Sequence, residues 1–116
     1  MTTTQQLDAT FFALADGTRR AILARLAEGE ASVAELAEPF EMSQPAVSKH
    51  LKVLERAGLV SARTDGARRP RRLEPEPLEA ATEWIERYRE VWEANFQRLE
   101  ALLDEMKAAG DEAGES

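Results

Sequence analysis

The sequence predicts a mainly α-helical fold with one small β-hairpin and a long last helix. Three observations carry that expectation. Apolar residues recur at three- and four-residue steps over most of the chain. That period breaks after Gly58, where Leu59-Val60-Ser61-Ala62-Arg63-Thr64 reads as a strand and Asp65-Gly66 as a hairpin turn. From Leu78 to Met106 the apolar positions then alternate steps of three and four over about four heptads.

The elements follow in order. Residues 1–6 read as a flexible polar tail. Leu7, Phe11, Leu14 and Ala15 share one helical face, and Asp16-Gly17 punctuates that helix. Thr18 opens the next, with Ile22, Leu23 and Leu26 on its apolar side and Gly29 at its end. Ser32 is placed to cap a third helix, with Glu35 three residues on as its capping-box partner. Pro39 ends that helix early, because its nitrogen has no hydrogen to donate to residue 35. Ser43 is an N-cap for the following helix, and Pro45 sits in the first turn, where a missing N–H is tolerated. This helix runs to about Ala57, with Gly58 as its stop. Val47, Leu51 and Leu54 face the core, which leaves Gln44, Ser48, Lys49 and Lys52 outward.

Ala67 to Leu73 form the return strand, restricted to an edge or a short pairing by Pro70. Glu74-Pro75-Glu76-Pro77 is a linker. The last helix carries a seam of Leu78, Ala81, Ile85, Tyr88, Trp92, Asn95, Leu99, Leu102 and Met106, widened by Trp84, Val91, Phe96 and Leu103. Glu79, Glu83, Glu86, Glu90 and Glu93 form a solvated stripe on the same helix, paired in part with Arg87 and Arg89. The domain is expected over residues 7–107. Residues 108–116 lack an apolar face and read as a disordered acidic tail.

The chain has 116 residues, enough for one small domain. It has no cysteine, which excludes disulfides, thiolate metal sites and cysteine nucleophiles. His50 is its only histidine, and no nucleophile–base–orienter set is visible, so an enzyme is not expected. No catalytic residue, metal ligand or cofactor is assigned. No apolar run suits a bilayer and the start lacks signal-peptide features, so the expected location is the cytoplasm, with no membrane partner.

The net charge is −7, but the charges are segregated. Residues 43–73 hold 8 basic and 2 acidic residues, whereas residues 74–116 hold 4 and 13. A basic block beside an acidic one fits an anionic partner better than the total charge suggests.

Short helices, a tight turn and a helix with a polar outward face describe a helix-turn-helix; the hairpin that follows makes it a winged helix-turn-helix. Such a helix fits the DNA major groove and reads base edges near its N-terminus. Ser43, Gln44 and Pro45 occupy that end here. Ser48, Lys49, His50 and Lys52 are the further candidate contacts along the helix. The hairpin places Arg68, Arg69, Arg71 and Arg72 within reach of flanking backbone or minor groove. Arg19 and Arg20 begin a helix, where the dipole disfavours positive charge, and pairing with an acid or contact with DNA are the two roles open to one of them.

Ala13-Leu14-Ala15-Asp16-Gly17-Thr18-Arg19-Arg20-Ala21-Ile22-Leu23 resembles the N-terminal signature of the ArsR/SmtB winged-helix repressors. Ser43-Gln44-Pro45-Ala46-Val47-Ser48-Lys49-His50-Leu51-Lys52-Val53-Leu54 resembles that family's recognition helix, and Ala57-Gly58-Leu59-Val60 the approach to its wing. The resemblance implies a homodimeric regulator of transcription, usually a repressor, that binds double-stranded DNA at an inverted repeat. It implies a dimer interface built from the first and last helices. Leu7, Phe11, Ile85, Tyr88, Trp92, Asn95, Leu99 and Leu102 are its candidates, with Asn95 setting the register. The chain departs from the metal-sensing members. Ser32 and Ala34 stand about where those carry thiolates, and the last helix has no histidine. Two rival readings keep the fold: a small-molecule-responsive regulator whose effector is unknown, and a protein-interaction module that uses the last helix.

Overall fold

A computed structural model describes residues 3–64 and 69–114. The chain divides into two compact units, one through Ala81 and one from Thr82.

The first unit opens with α1 (Thr3–Leu14) and α2 (Gly17–Leu26). Helix α1 begins at Thr3, so residues 3–6 are helical rather than tail. The Thr10 hydroxyl, buried, donates to the Gln6 carbonyl at 2.9 Å, one turn back along this helix. Helix α2 starts one residue before Thr18, because Asp16 is the cap and accepts from the Arg19 N–H at 3.0 Å. Arg19 and Arg20 turn back onto α1. Arg19 donates to the carbonyls of Ala13 at 2.7 Å and Phe12 at 2.9 Å, and Arg20 to that of Leu14 at 2.6 Å. The last carbonyls of a helix lack intrahelical partners, and here two guanidinium groups supply them.

Helix α3 (Val33–Ala37) has the expected capping box: the Glu35 N–H donates to Ser32 Oγ at 3.2 Å, and the Ser32 N–H to Glu35 Oε1 at 3.3 Å. Pro39 diverts the chain into a 3₁₀ turn at Glu38–Phe40. Glu41 then adopts a left-handed conformation with φ of 52°, which costs a non-glycine residue about 1–2 kcal/mol. Helix α4 (Gln44–Arg56) follows. At its end the Gly58 N–H donates to Glu55 O and the Leu59 N–H to Leu54 O, both at 3.0 Å. That closure needs a residue with positive φ, and Gly58 supplies 75°.

Strands β1 (Val60–Ala62) and β2 (Arg71–Leu73) pair antiparallel, with Val60 opposite Leu73, Ser61 opposite Arg72 and Ala62 opposite Arg71. They are shorter than the runs 59–64 and 67–73. Pro70 brings no N–H, although its carbonyl still accepts from the Arg63 N–H at 3.0 Å. A bridge joins Arg71 to Ala31, ahead of α3.

Helix α4 packs on α1, α2, α3 and β1. Ile22, Leu36, Val47, Leu51, Leu54 and Leu59 are fully buried at the centre. Burial of each such side chain contributes about 1.5–3 kcal/mol. The core therefore fixes one face of α4 and leaves the other outward. Helix α5 (Glu76–Gly114) begins in this unit, where Leu78 packs against the core and Ala81 is buried. Those two seam positions belong to the core.

The second unit is the remainder of α5. The helix continues past Lys107, where the apolar pattern fades, so residues 108–114 extend the helix rather than begin a disordered tail. Ala108 and Ala109 are strong helix formers and carry it without an apolar face. Arg89 bridges Glu86 at 3.5 Å and Glu93 at 3.4 Å, one turn to either side, on the acidic stripe.

Candidate nucleic-acid interface

Helix α4 presents one polar stripe. At 100° per residue, Pro45, Lys49 and Lys52 fall on the side away from Val47, Leu51 and Leu54, with Ser48 at its edge; Gln44 falls nearer the core side but stands in the first turn, at the open end of the helix. Gln44, Pro45, Lys49 and Lys52 are exposed and Ser48 is half-buried. Ser43 caps the helix: its Oγ accepts from the Ala46 N–H at 3.3 Å. The same hydroxyl is exposed and keeps its own proton to donate.

His50 is not on that stripe. It lies half-buried on the far flank of α4, with Nδ1 3.9 Å from Oδ1 of Asp16. The N–H bond from Arg19 holds the Asp16 carboxyl below the usual carboxylate range, aided by the charges of Arg19 and His50 and opposed by partial desolvation.

The hairpin arginines separate into different roles. Arg69 is exposed, beside the tip. Arg68 lies outside the described residues. Arg72 is exposed and lies 3.8 Å from Glu74. Arg63 reaches Glu30 at 2.8 Å. Arg71, expected among the DNA contacts, is instead taken up by the fold: its side chain is 14% exposed and its Nε donates to Glu55 Oε1 at 2.9 Å. Sequence reasoning missed Glu55. The available signal was its sign, since it is one of the two acidic residues in the basic block 43–73.

Of the expected interface residues, Leu7 and Phe11 are half-buried on α1. Ile85, Tyr88, Trp92, Asn95, Leu99 and Leu102 are exposed on α5. From Ile85 to Met106 the large apolar side chains of this helix are 45–64% exposed, with the Trp92 and Phe96 rings tilted against each other at 5.8 Å between ring centres. Among the described residues, no group of three His, Asp or Glu side chains converges as a metal site, and no helix is long and apolar enough to cross a membrane.

A helix, a turn, an outward-facing polar helix with its apolar side locked in a core, and a hairpin with exposed arginine define a winged helix-turn-helix DNA-binding protein. The chain belongs to the arsR family of bacterial regulatory proteins, whose family model matches residues 16–62. It is 49% identical over 104 residues to the HTH-type transcriptional regulator Rv2034 of Mycobacterium tuberculosis, covering 90% of this chain and 94% of that one. It is 34% identical over 94 residues to the arsenical resistance operon repressor of Escherichia coli, covering 80% and 78%. Among solved structures, it is similar to the ArsR family transcriptional regulator RHA00566, with a TM-score of 0.71 and 43% identity over 78% of this chain and 93% of that one. It is also similar to a homodimeric winged helix-turn-helix DNA-binding domain from Mycobacterium bovis, with a TM-score of 0.61 and 31% identity over 76% and 83%. The family and these relatives are regulators of transcription, not enzymes.

Proposed function

We propose that the protein acts as a homodimer that binds an inverted-repeat operator in double-stranded DNA and represses transcription by occupying it. The observation that carries this reading is the outward set of Pro45, Lys49 and Lys52, with Ser48 at its edge and Gln44 exposed at the helix start, on a helix whose other side is fixed by Val47, Leu51 and Leu54. Gln44 and Ser43 supply hydrogen-bonding groups at the helix start, where base edges are read. Lys49, Lys52 and Arg69 supply charge for phosphates. Two such helices in one dimer would enter major grooves about one helical turn apart. The exposed seam of α5 supports self-association, as does the homodimeric state of the Mycobacterium bovis relative. Repression is supported by the Escherichia coli relative, a repressor. The site of action would be the cytoplasm. No metal or effector is assigned.

Fluorescence anisotropy tests this directly. The purified chain is titrated against duplex DNA from upstream of its own gene and against duplexes selected from a random pool, with a scrambled duplex as control, at two salt concentrations. The expected result is preferential binding to one duplex that weakens with salt. Equal, weak binding to every duplex, with no sequence enriched from the pool, would sink the proposal.

A further inference from the structure

Arg71 stands where four pieces of chain meet. Its backbone N–H donates to Ala31 O at 2.7 Å and its carbonyl accepts from the Ala31 N–H at 3.1 Å, which ties β2 to the segment leading into α3. It stands opposite Ala62 of β1. Its guanidinium extends in two directions. Nε donates to Glu55 in the last turn of α4 at 2.9 Å, and one terminal nitrogen donates to the carbonyl of Arg69, beside the hairpin tip. One side chain therefore links the end of the proposed recognition helix to the backbone of the wing.

That link meets a physical need. A two-stranded ribbon with three residues in each strand is marginal by itself, so its direction must be set by what it is tied to. A wing that wanders has to be ordered when DNA binds, and that ordering subtracts from affinity. Glu55 also needs an account. A carboxylate close to a DNA-binding surface repels phosphate, and this one stands among 8 basic residues of the block 43–73. Its pairing with Arg71 supplies that account, with the Arg71 side chain 14% exposed and that of Glu55 34%.

We propose that Glu55 and Arg71 are positioning residues: they fix the wing relative to α4, so that Arg69 and the outward face of α4, with Gln44 at its start, address one duplex together. Neither touches DNA in this arrangement. The inference rests on the DNA-binding reading above and goes beyond it by assigning the coupling between the two DNA-facing elements.

The test is a double-mutant cycle in duplex affinity, measured by anisotropy on the full chain at two salt concentrations, with wild type, Glu55→Gln, Arg69→Ala and the double variant. Charge alone predicts that Glu55→Gln tightens binding, because a negative charge is removed. Positioning predicts the opposite sign, a loss of about fivefold. It also predicts that Arg69→Ala costs clearly less affinity when added to Glu55→Gln than when made in wild type, because a wing whose tie is reduced from a charge-assisted to a neutral hydrogen bond is held less firmly and contributes less. Thermal melts confirm that each variant is folded. Arg71→Lys is the second variant: it keeps the charge but cannot reach Glu55 and the Arg69 carbonyl with one rigid fork, and should reproduce the same non-additivity. Tighter binding by Glu55→Gln, or strictly additive losses, overturns the inference. A wild-type chain with no salt-dependent duplex binding overturns the functional reading itself, and that result is recognised before any variant is measured.

Discussion

Oδ1 of Asp16 lies 3.9 Å from Nδ1 of His50, so the residue that caps α2 also faces the recognition helix. The Arg19 N–H, first among the causes, holds the Asp16 carboxyl below its ordinary range. In mildly acid solution such a carboxyl binds fewer protons in the folded chain than in the unfolded one. Its contribution to stability is thus fully present above the unfolded pKa and is lost as pH falls through the lower folded one. Asp16→Asn keeps an N-cap acceptor but removes the charge. Melting curves should show this variant less stable than wild type near pH 6, with the gap closing as pH falls below about 4. A gap that does not change with pH would show that the charge contributes nothing. Asp16→Ala removes the cap as well and should be the less stable of the two at every pH.

Gln44 at the start of α4 and Lys52 on its outward face are both exposed, yet their chemistry differs. A glutamine amide reads a donor–acceptor pattern, whereas a lysine neutralises phosphate regardless of sequence. Gln44→Ala should erode preference for the operator over a scrambled duplex by ~1–3 kcal/mol if its contact is bidentate. Lys52→Ala should weaken both duplexes alike and lower the salt slope by about 1. Anisotropy at several salt concentrations separates them. Unchanged preference in Gln44→Ala would remove that residue from the readers.

Arg68→Ala combined with Arg69→Ala addresses the wing. Arginine charge in the hairpin is expected to neutralise phosphate whatever the sequence, so every duplex should bind more weakly and the salt slope should flatten by ~1–2 units. Sequence preference should survive. If preference vanished while affinity held, the wing would be the reader and α4 the anchor.

Much of this is legible in the sequence because the relevant signals are local. Ser32 with Glu35, Ser43 with Pro45, and Gly58 each fix a helix end through neighbours within a few residues, and each stands where expected. The outward stripe of α4 follows from helical period alone. What is not legible depends on contacts distant in sequence. Nothing local tells that Arg71 is held by Glu55 while Arg69 stays outward, since the pairing spans 16 residues and forms only when the hairpin folds back beside α4. His50 reads as a DNA contact alongside its neighbours, but one residue along a helix is 100° around it, which carries this side chain to the flank near Asp16. Residues 3–6 read as a tail because they are polar and carry no apolar pattern, although the Gln6 carbonyl accepts from the buried Thr10 hydroxyl.

The seam of α5 supplies the last prediction. Trp92, Leu99 and Leu102 are half or more exposed, on a helix that repeats apolar residues at seam spacing. A second copy laid along that face would remove them from water, at about 25 cal/mol for each Å² of apolar surface covered. Leu99→Glu places a charge in the seam, where covering it is costly, but leaves the first unit's core untouched. Sedimentation should show the variant shifted from dimer towards monomer, and the transition of the first unit should persist in thermal melts. The DNA consequence is larger than the contact itself. A dimer engages its second half-site intramolecularly, so loss of the dimer should lower operator affinity by about 10²–10⁴-fold while affinity for a single half-site changes little. A Leu99→Glu chain that stays dimeric and keeps full operator affinity would move the interface off this part of α5.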